Sequence, residues 1–212
     1  MRKNIIYGLL LVVAALFAGC ESRLDIEKHG NMGDQNDFYQ TDEQTEQAVA
    51  SMYSSLKGLY FNWFFTKNVL SDDVWCGGGQ RGDNTSLEQL NEYTYGTDNG
   101  MIQGVFSGLY GLIYQSNLVI EKVADDTPAK KRAIAEAKFF RAWANFELVT
   151  LWGTAPLVDH LLEPGEYRQG NSTPEALWAA VESDLNDAIS MNALPSKKNK
   201  DDQETGMRVT QE

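Results

Sequence analysis

Cysteine is nearly absent from this chain: only Cys20 and Cys76 occur among 212 residues. If Cys20 is used by an apolar leader, Cys76 has no partner, so a disulfide framework is excluded. Histidine is equally scarce, with His29 and His160 alone. No Ser or Cys nucleophile has a base placed beside it in a recognisable motif, so catalysis finds little support. Paired carboxylates run throughout an acidic chain, and a glycosidase reading from Asp and Glu alone is not specific. Positive charge is in deficit, 18 Lys+Arg against 30 Asp+Glu for a net −12. That balance argues against nucleic acid and anionic lipid surfaces as partners. No strand pattern is strong, and the one long apolar run, Ile5 to Ala18, is shorter than the roughly 20 residues a bilayer span needs.

That short run has the form of an export signal. Arg2 and Lys3 precede it, and Leu16-Phe17-Ala18-Gly19-Cys20 ends it. Small residues suit a signal peptidase pocket, and the cysteine after them offers a thiol for diacylglycerol. Each buried methylene adds about 0.8 kcal/mol, so more than one acyl chain makes a stable anchor. The expected mature protein begins at Cys20, with residues 1–19 removed as a lipoprotein signal peptide; an ordinary secretory signal is the alternative. Losing Arg2 and Lys3 and no acidic residue takes the net charge from −12 to −14. Hydrophobic content of 42% and aromatic content of 11% suffice for a packed core, in one large domain or part of one.

Residues 20–40 read as a lipidated tether, polar at first and ordered near Leu24, Ile26, Phe38 and Tyr39. Residues 41–194 read as one helical domain. Thr41-Asp42-Glu43-Gln44 is a capping box, and Ala48, Met52, Ser55, Leu56 and Leu59 follow at helical spacing. Phe61 to Val74 suggests a second helix, opening into the glycine-rich loop Trp75 to Asn84. Met101 to Val123 is helical again, with Gly104, Gly108 and Gly111 on a face that invites close packing by another helix. Thr127 and Pro128 start the next helix and Gly153 ends it. This helix is apolar on two sides, Ala133, Ala137, Phe140, Ala144, Leu148 and Leu151 on one, Phe139, Trp143 and Phe146 on the other, as suits the middle of a stack. Ser172-Thr173-Pro174-Glu175 reads as a second capping box, and residues 195–212 as a polar tail. The expected fold is all-α, antiparallel helix pairs with a long irregular loop excursion.

The run Ala135-Glu-Ala-Lys-Phe-Phe-Arg-Ala-Trp-Ala-Asn-Phe-Glu-Leu-Val-Thr-Leu-Trp-Gly, followed by Ala155-Pro156-Leu157-Val158, resembles the SusD/RagB family of surface lipoproteins. Other pieces agree in order: the motif at Cys20, Leu24-Asp25-Ile26, Phe38 to Gln44, Asn117-Leu118-Val119-Ile120, Thr173 to Trp178 and Asp184 to Ile189. The resemblance implies a tetratricopeptide-like α/α superhelix carrying an irregular ligand-binding face. It also implies a non-catalytic protein on the outer membrane, facing the exterior, that passes oligosaccharide to a TonB-dependent SusC-like transporter. The covalent lipid on Cys20 is the only expected non-protein group; no cofactor or metal is expected. Family members are more than twice this length, so the chain looks like an N-terminal portion, stopping after Arg208-Val209-Thr210 where the next helix of the pattern would begin.

The loop from Ser71 to Asn99 holds the side chains that sugar binding uses, aromatic rings for apolar sugar faces and planar polar groups for paired hydroxyls. Trp75, Tyr93 and Tyr95 are the candidate platforms; Arg81, Asn84, Asp73, Asp98 and Asn99 are the candidate polar partners. The resemblance places a ligand aromatic and an arginine in this region, which puts Trp75 and Arg81 first. A structural alternative has Trp75 plugging the core beneath the glycine turn and Arg81 in a surface ion pair. Asp72, Asp73 and Asp83 lack the alternating spacing of a calcium loop, and Gly77 to Gly82 lacks the lysine of a phosphate loop. Arg81-Gly82-Asp83 is a chance tripeptide. Arg141 and Glu147, inside an apolar helix, are expected to bridge to neighbouring helices. The rival function is a tetratricopeptide-like scaffold lipoprotein that binds a peptide or protein.

Overall fold

A computed structural model describes residues 38–197 and 208–211. The leader, Cys20, Leu24, Ile26 and His29 lie outside the described residues. The helices are α1 (Asp42–Val69), α2 (Thr85–Asn91), α3 (Gly100–Lys122), α4 (Pro128–Trp152) and α5 (Pro174–Ser190), with a 3-10 turn at Pro164–Glu166. Among the described residues the only β pairing is one isolated bridge between Ala155 and Ser172. The fold is all-α.

The helix starts follow from local chemistry. Thr41 Oγ1 accepts the Gln44 N–H at 3.2 Å, while Gln44 Oε1 accepts the Thr41 N–H at 3.1 Å, completing the capping box. Thr127 caps α4 ahead of Pro128, and Gly153 closes it at φ +73°. Two local expectations need correction. Residues 61–69 do not form a separate helix but continue α1, because no proline interrupts it and one glycine, Gly58, costs only about 1 kcal/mol. At α5 the cap is Thr173, accepting from Ala176 N, and no reciprocal box forms. Ser172 instead gives its N–H to Ala155 O.

Long-range pairs set the helix directions. α1 and α3 run antiparallel, with Ser55 bonded to Gln115 and Leu59 packed on Gly108. A Cβ on Gly108 would lie 2.7 Å from Leu59 Cδ1, so the glycine is what lets the two helices approach. Gly104 meets Asn62 in the same way, whereas Gly111 faces open space. α3 and α4 form an antiparallel hairpin (Phe106 on Trp152), and α4 and α5 another (Phe146 on Trp178; Lys138 Nζ to Asp187 at 2.7 Å). α1 and α4 run parallel, joined by Tyr53–Glu136, Trp63–Trp143 and Lys67–Glu147. The core holds Met52, Leu109, Ile113, Leu148, Leu177 and Phe140; full burial of a side chain such as Phe140 contributes roughly 1.5–3 kcal/mol. On α4 the first apolar stripe is buried from Ala133 to Leu148. The second is covered only in part, with Phe139 and Trp143 half-buried and Phe146 exposed.

Charges inside the stack are paired, as charge in a low-dielectric interior must be. Arg141 donates Nε and Nη2 to the two carboxylate oxygens of Asp184, both at 2.7 Å, and Nη1 to Asn117 Oδ1 and Asp159 O. Lys67 holds the buried Glu147 at 2.9 Å. Arg141 and Glu147 therefore bridge helices as expected. Glu136 accepts from Tyr53 and Arg132 and lies 2.8 Å from Arg208; burial and this carboxylate push the Tyr53 hydroxyl up to about 12. The end of the segment expected to be a polar tail is docked. Arg208 bonds Glu46 at 2.9 Å, Val209 N–H reaches Tyr53 Oη at 2.8 Å, and Gln211 N–H reaches Pro195 O at 3.1 Å.

The connection from α4 to α5 is strapped over α3. Tyr110 Oη donates to Pro156 O at 2.6 Å, and Asn117 Nδ2 donates to His160 O at 2.9 Å. The His160 ring bridges Asp159 at 2.7 Å and Glu166 at 3.2 Å. Hydrogen bonding to Asp159, then to Glu166, raises the imidazole above its usual value, and the same bond to His160 lowers Asp159.

Candidate functional site

Between α1 and α3 the chain makes its long excursion, and its side chains bond back to hold it. From the last residue of α2, Asn91 accepts the Cys76 N–H at 3.1 Å and donates to Val74 O at 3.0 Å. Asp83 Oδ2 accepts the Gln80 N–H at 3.0 Å, and Glu88 Oε1 accepts the Gly82 N–H at 2.7 Å. Gly82 sits at φ +92°, a conformation that L side chains rarely adopt. Sequence reading treated the whole excursion as loop. The structure places the seven-residue helix α2 inside it, with Leu87 and Leu90 buried against Val69 and Met101. Asn84 followed by leucines three apart was the available signal.

A pocket of about 260 Å³ opens against this segment, walled by Trp75, Cys76, Gly77, Gly78, Gln80, Arg81, Glu88, Asn91 and Glu92. Trp75 is 79% exposed, so it is no core plug. The Arg81 guanidinium lies 2.7 Å from Glu92 in an ion pair largely open to water. Such pairs contribute at most about 1 kcal/mol, so Arg81 can turn to a ligand at little cost. Burial, then the Glu88 carboxylate, raises the Cys76 thiol above its usual value. An indole face beside amide, carboxylate and guanidinium groups can stack on one face of a ring and hydrogen-bond its edge.

Of the eight predicted ligand residues, Trp75 and Arg81 line this pocket. Tyr93, exposed and at φ +55°, braces the start of the excursion by donating its hydroxyl to Leu70 O at 2.7 Å. Tyr95 and Asp98 are exposed but do not line the pocket, and neither does Asp73. Asn84 caps α2 through Leu87 N. Asn99 is corrected outright. It is 2% exposed, its Oδ1 accepts from Met101 and Ile102, and its Nδ2 donates to Ser86 O and Gln89. Its amide has no atom left for a ligand. Sequence reading missed Gln80, Glu88, Asn91 and Glu92, which α2 and its flanks bring to Trp75. Among the described residues, no three His, Cys, Asp or Glu side chains converge as metal ligands.

A family model for SusD-like proteins, described as starch-binding and associating with the outer membrane, matches residues 30–211. A SusD-like protein of Bacteroides ovatus is 32% identical over 164 residues, covering 71% of this chain and 28% of its own. A SusD-like protein of Formosa agariphila is 28% identical over 156 residues, covering 73% of this chain and 30% of its own. Among solved structures, a laminarin-binding SusD-like protein superposes with a TM-score of 0.69 at 26% identity, over 82% of this chain and 38% of that one. Surface glycan-binding protein A from Bacteroides uniformis gives a TM-score of 0.67 at 23% identity, over 81% and 39%, which shows a shared fold. The chain spans between 28% and 41% of the length of the curated relatives it matches.

Proposed function

Because this chain belongs to the SusD-like family, we propose that it captures neutral oligosaccharide on the Trp75 pocket and binds it without turnover. The observation that carries this reading is Trp75 itself, an indole held in the open beside Arg81, Gln80, Asn91 and Glu92. The pocket is pre-formed, since Asp83, Glu88 and Asn91 already hold its backbone, and a pre-formed site loses little entropy on binding. Net charge of −12 repels anionic polysaccharides and so favours neutral ones. The laminarin-binding neighbour makes laminarin the first probe, with starch-derived oligosaccharide as the second.

The wider setting is part of the same proposal. The family's association with the outer membrane supports a membrane-surface location. Lipid on Cys20 would hold the protein there, and residues 20–40 would give it reach. A TonB-dependent SusC-like transporter would receive the glycan. In a chain of the relatives' length, the Trp75 pocket would form one wall of a larger binding face. Affinity electrophoresis in gels containing laminarin or starch tests the reading. Retardation that disappears in Trp75→Ala supports it, and equal mobility with and without glycan contradicts it.

A further inference from the structure

The two sides of α2 have different partners. Leu87 and Leu90 are buried with Val69 and Met101, while Asn84, Glu88, Asn91 and Glu92 recur at the three- and four-residue spacing of one helix side. That side grips the excursion at three points. Glu92 meets the Arg81 guanidinium at 2.7 Å, and Glu88 takes the Gly82 N–H at 2.7 Å. Asn91 supplies the third grip, and it brackets Trp75. Its Oδ1 accepts the Cys76 N–H at 3.1 Å, and its Nδ2 donates to Val74 O at 3.0 Å. The same Nδ2 reaches the carbonyl of Val69, the last residue of α1, at 3.5 Å.

Both amide hydrogens of Asn91 are thus committed to main chain, so it walls the pocket with no donor to spare for a ligand. Among the described residues, no other hydrogen bond reaches the main chain of Val74, Trp75 or Cys76. The indole, exposed as it is, gains little from packing, and the hold on the platform falls to this one side chain. Leu90 and Val69, both buried, root the clamp in the molecule. A platform fixed in advance loses less freedom when a ring stacks on it. We propose that Asn91 is the positioning residue of the Trp75 platform, setting glycan affinity through the indole it holds and not by touching the sugar. The proposal rests on the reading of this pocket as a glycan site and assigns the residue that organises it.

Backbone ¹⁵N relaxation combined with calorimetric titration of laminarin oligosaccharide tests it, on samples shown to be folded by circular dichroism. Order parameters at Trp75 and Cys76 are expected near about 0.85 in the wild type and below about 0.6 in Asn91→Ala, with those of α3 and α4 unchanged. Asn91→Asp keeps the acceptor for Cys76 and loses the donor. It is expected to fall between the two, and it serves where the alanine variant does not fold. Asn91→Ala is expected to weaken laminarin binding about tenfold in the wild-type background and by less than about twofold in Trp75→Ala. That non-additivity marks a residue acting through another. Equal losses in both backgrounds would make Asn91 a sugar contact and overturn the proposal. Unchanged order at Trp75 in Asn91→Ala overturns it whatever the glycan does. Order lost in the variant, with no glycan bound even by the wild type, supports the clamp and overturns the glycan reading alone.

Discussion

At the scale of single residues, what counts is whether a polar side chain is already engaged. Trp75 and Arg81 stand out in the sequence as an indole and a guanidinium among glycines, and the structure sets both on the wall of one pocket. Asn84 and Asn99 both cap helices, since an asparagine amide serves a helix N-terminus as well as it serves a sugar. The apolar-periodic run starting at Met101, just after Asn99, was the sign of a cap. Arg141 and Asp184 show the opposite case, a charge placed in the interior and fully satisfied. Asp184→Ala leaves the Arg141 charge buried without its main partner and is expected to cost about 3–5 kcal/mol. A melting experiment should then show a drop of roughly 10 °C. His160 provides a titration. Its raised folded value means that its bridge to Asp159 and Glu166 stabilises fully below the unfolded value, about 6.5, and fades as pH rises through the folded one. The lowered Asp159 sets the acid limit, since that contribution is lost as pH falls through its folded value. An NMR titration should place the His160 midpoint above 6.5, and His160→Gln should remove the pH dependence of the strap.

At the scale of elements, periodicity and caps carried most of the information. α3, α4 and α5 were legible because their apolar residues recur at three and four and because Thr127, Pro128, Gly153 and Thr173 punctuate them. α1 was split in error: the aromatic run after Leu59 looked like a new element, yet it prolongs the same face. α2 escaped because seven residues show barely two periods, and its stability comes from Leu87 and Leu90 packing outside the segment. The glycines of α3 were read as a packing face, which holds for Gly104 and Gly108 and fails for Gly111. Gly108→Leu is therefore expected to destabilise by about 1–3 kcal/mol through the clash with Leu59. Gly111→Ala, which meets nothing within 4 Å, is expected to stabilise by up to about 1 kcal/mol from helix propensity alone. Paired thermal melts check both, and similar shifts of one sign would contradict this account of the α1–α3 contact.

At the scale of the whole molecule, two of its concavities differ in chemistry. The Trp75 pocket is open, polar at its rim and held by hydrogen bonds, which suits a ligand that arrives and leaves. The groove between α1 and α4, walled by Leu56, Tyr60, Trp63, Phe139 and Trp143, is almost wholly apolar. The sequence foretold both apolar stripes of α4 but not that one would stay half-covered, because coverage depends on partners that periodicity does not name. Isothermal titration calorimetry of laminarin oligosaccharide against the wild-type chain and Trp75→Ala tests the central claim most directly. The account predicts saturable binding by the wild type, and a loss of about 2 kcal/mol, roughly thirtyfold, in the variant, with the melting temperature unchanged because Trp75 is exposed. Equal affinity in the two proteins would contradict it.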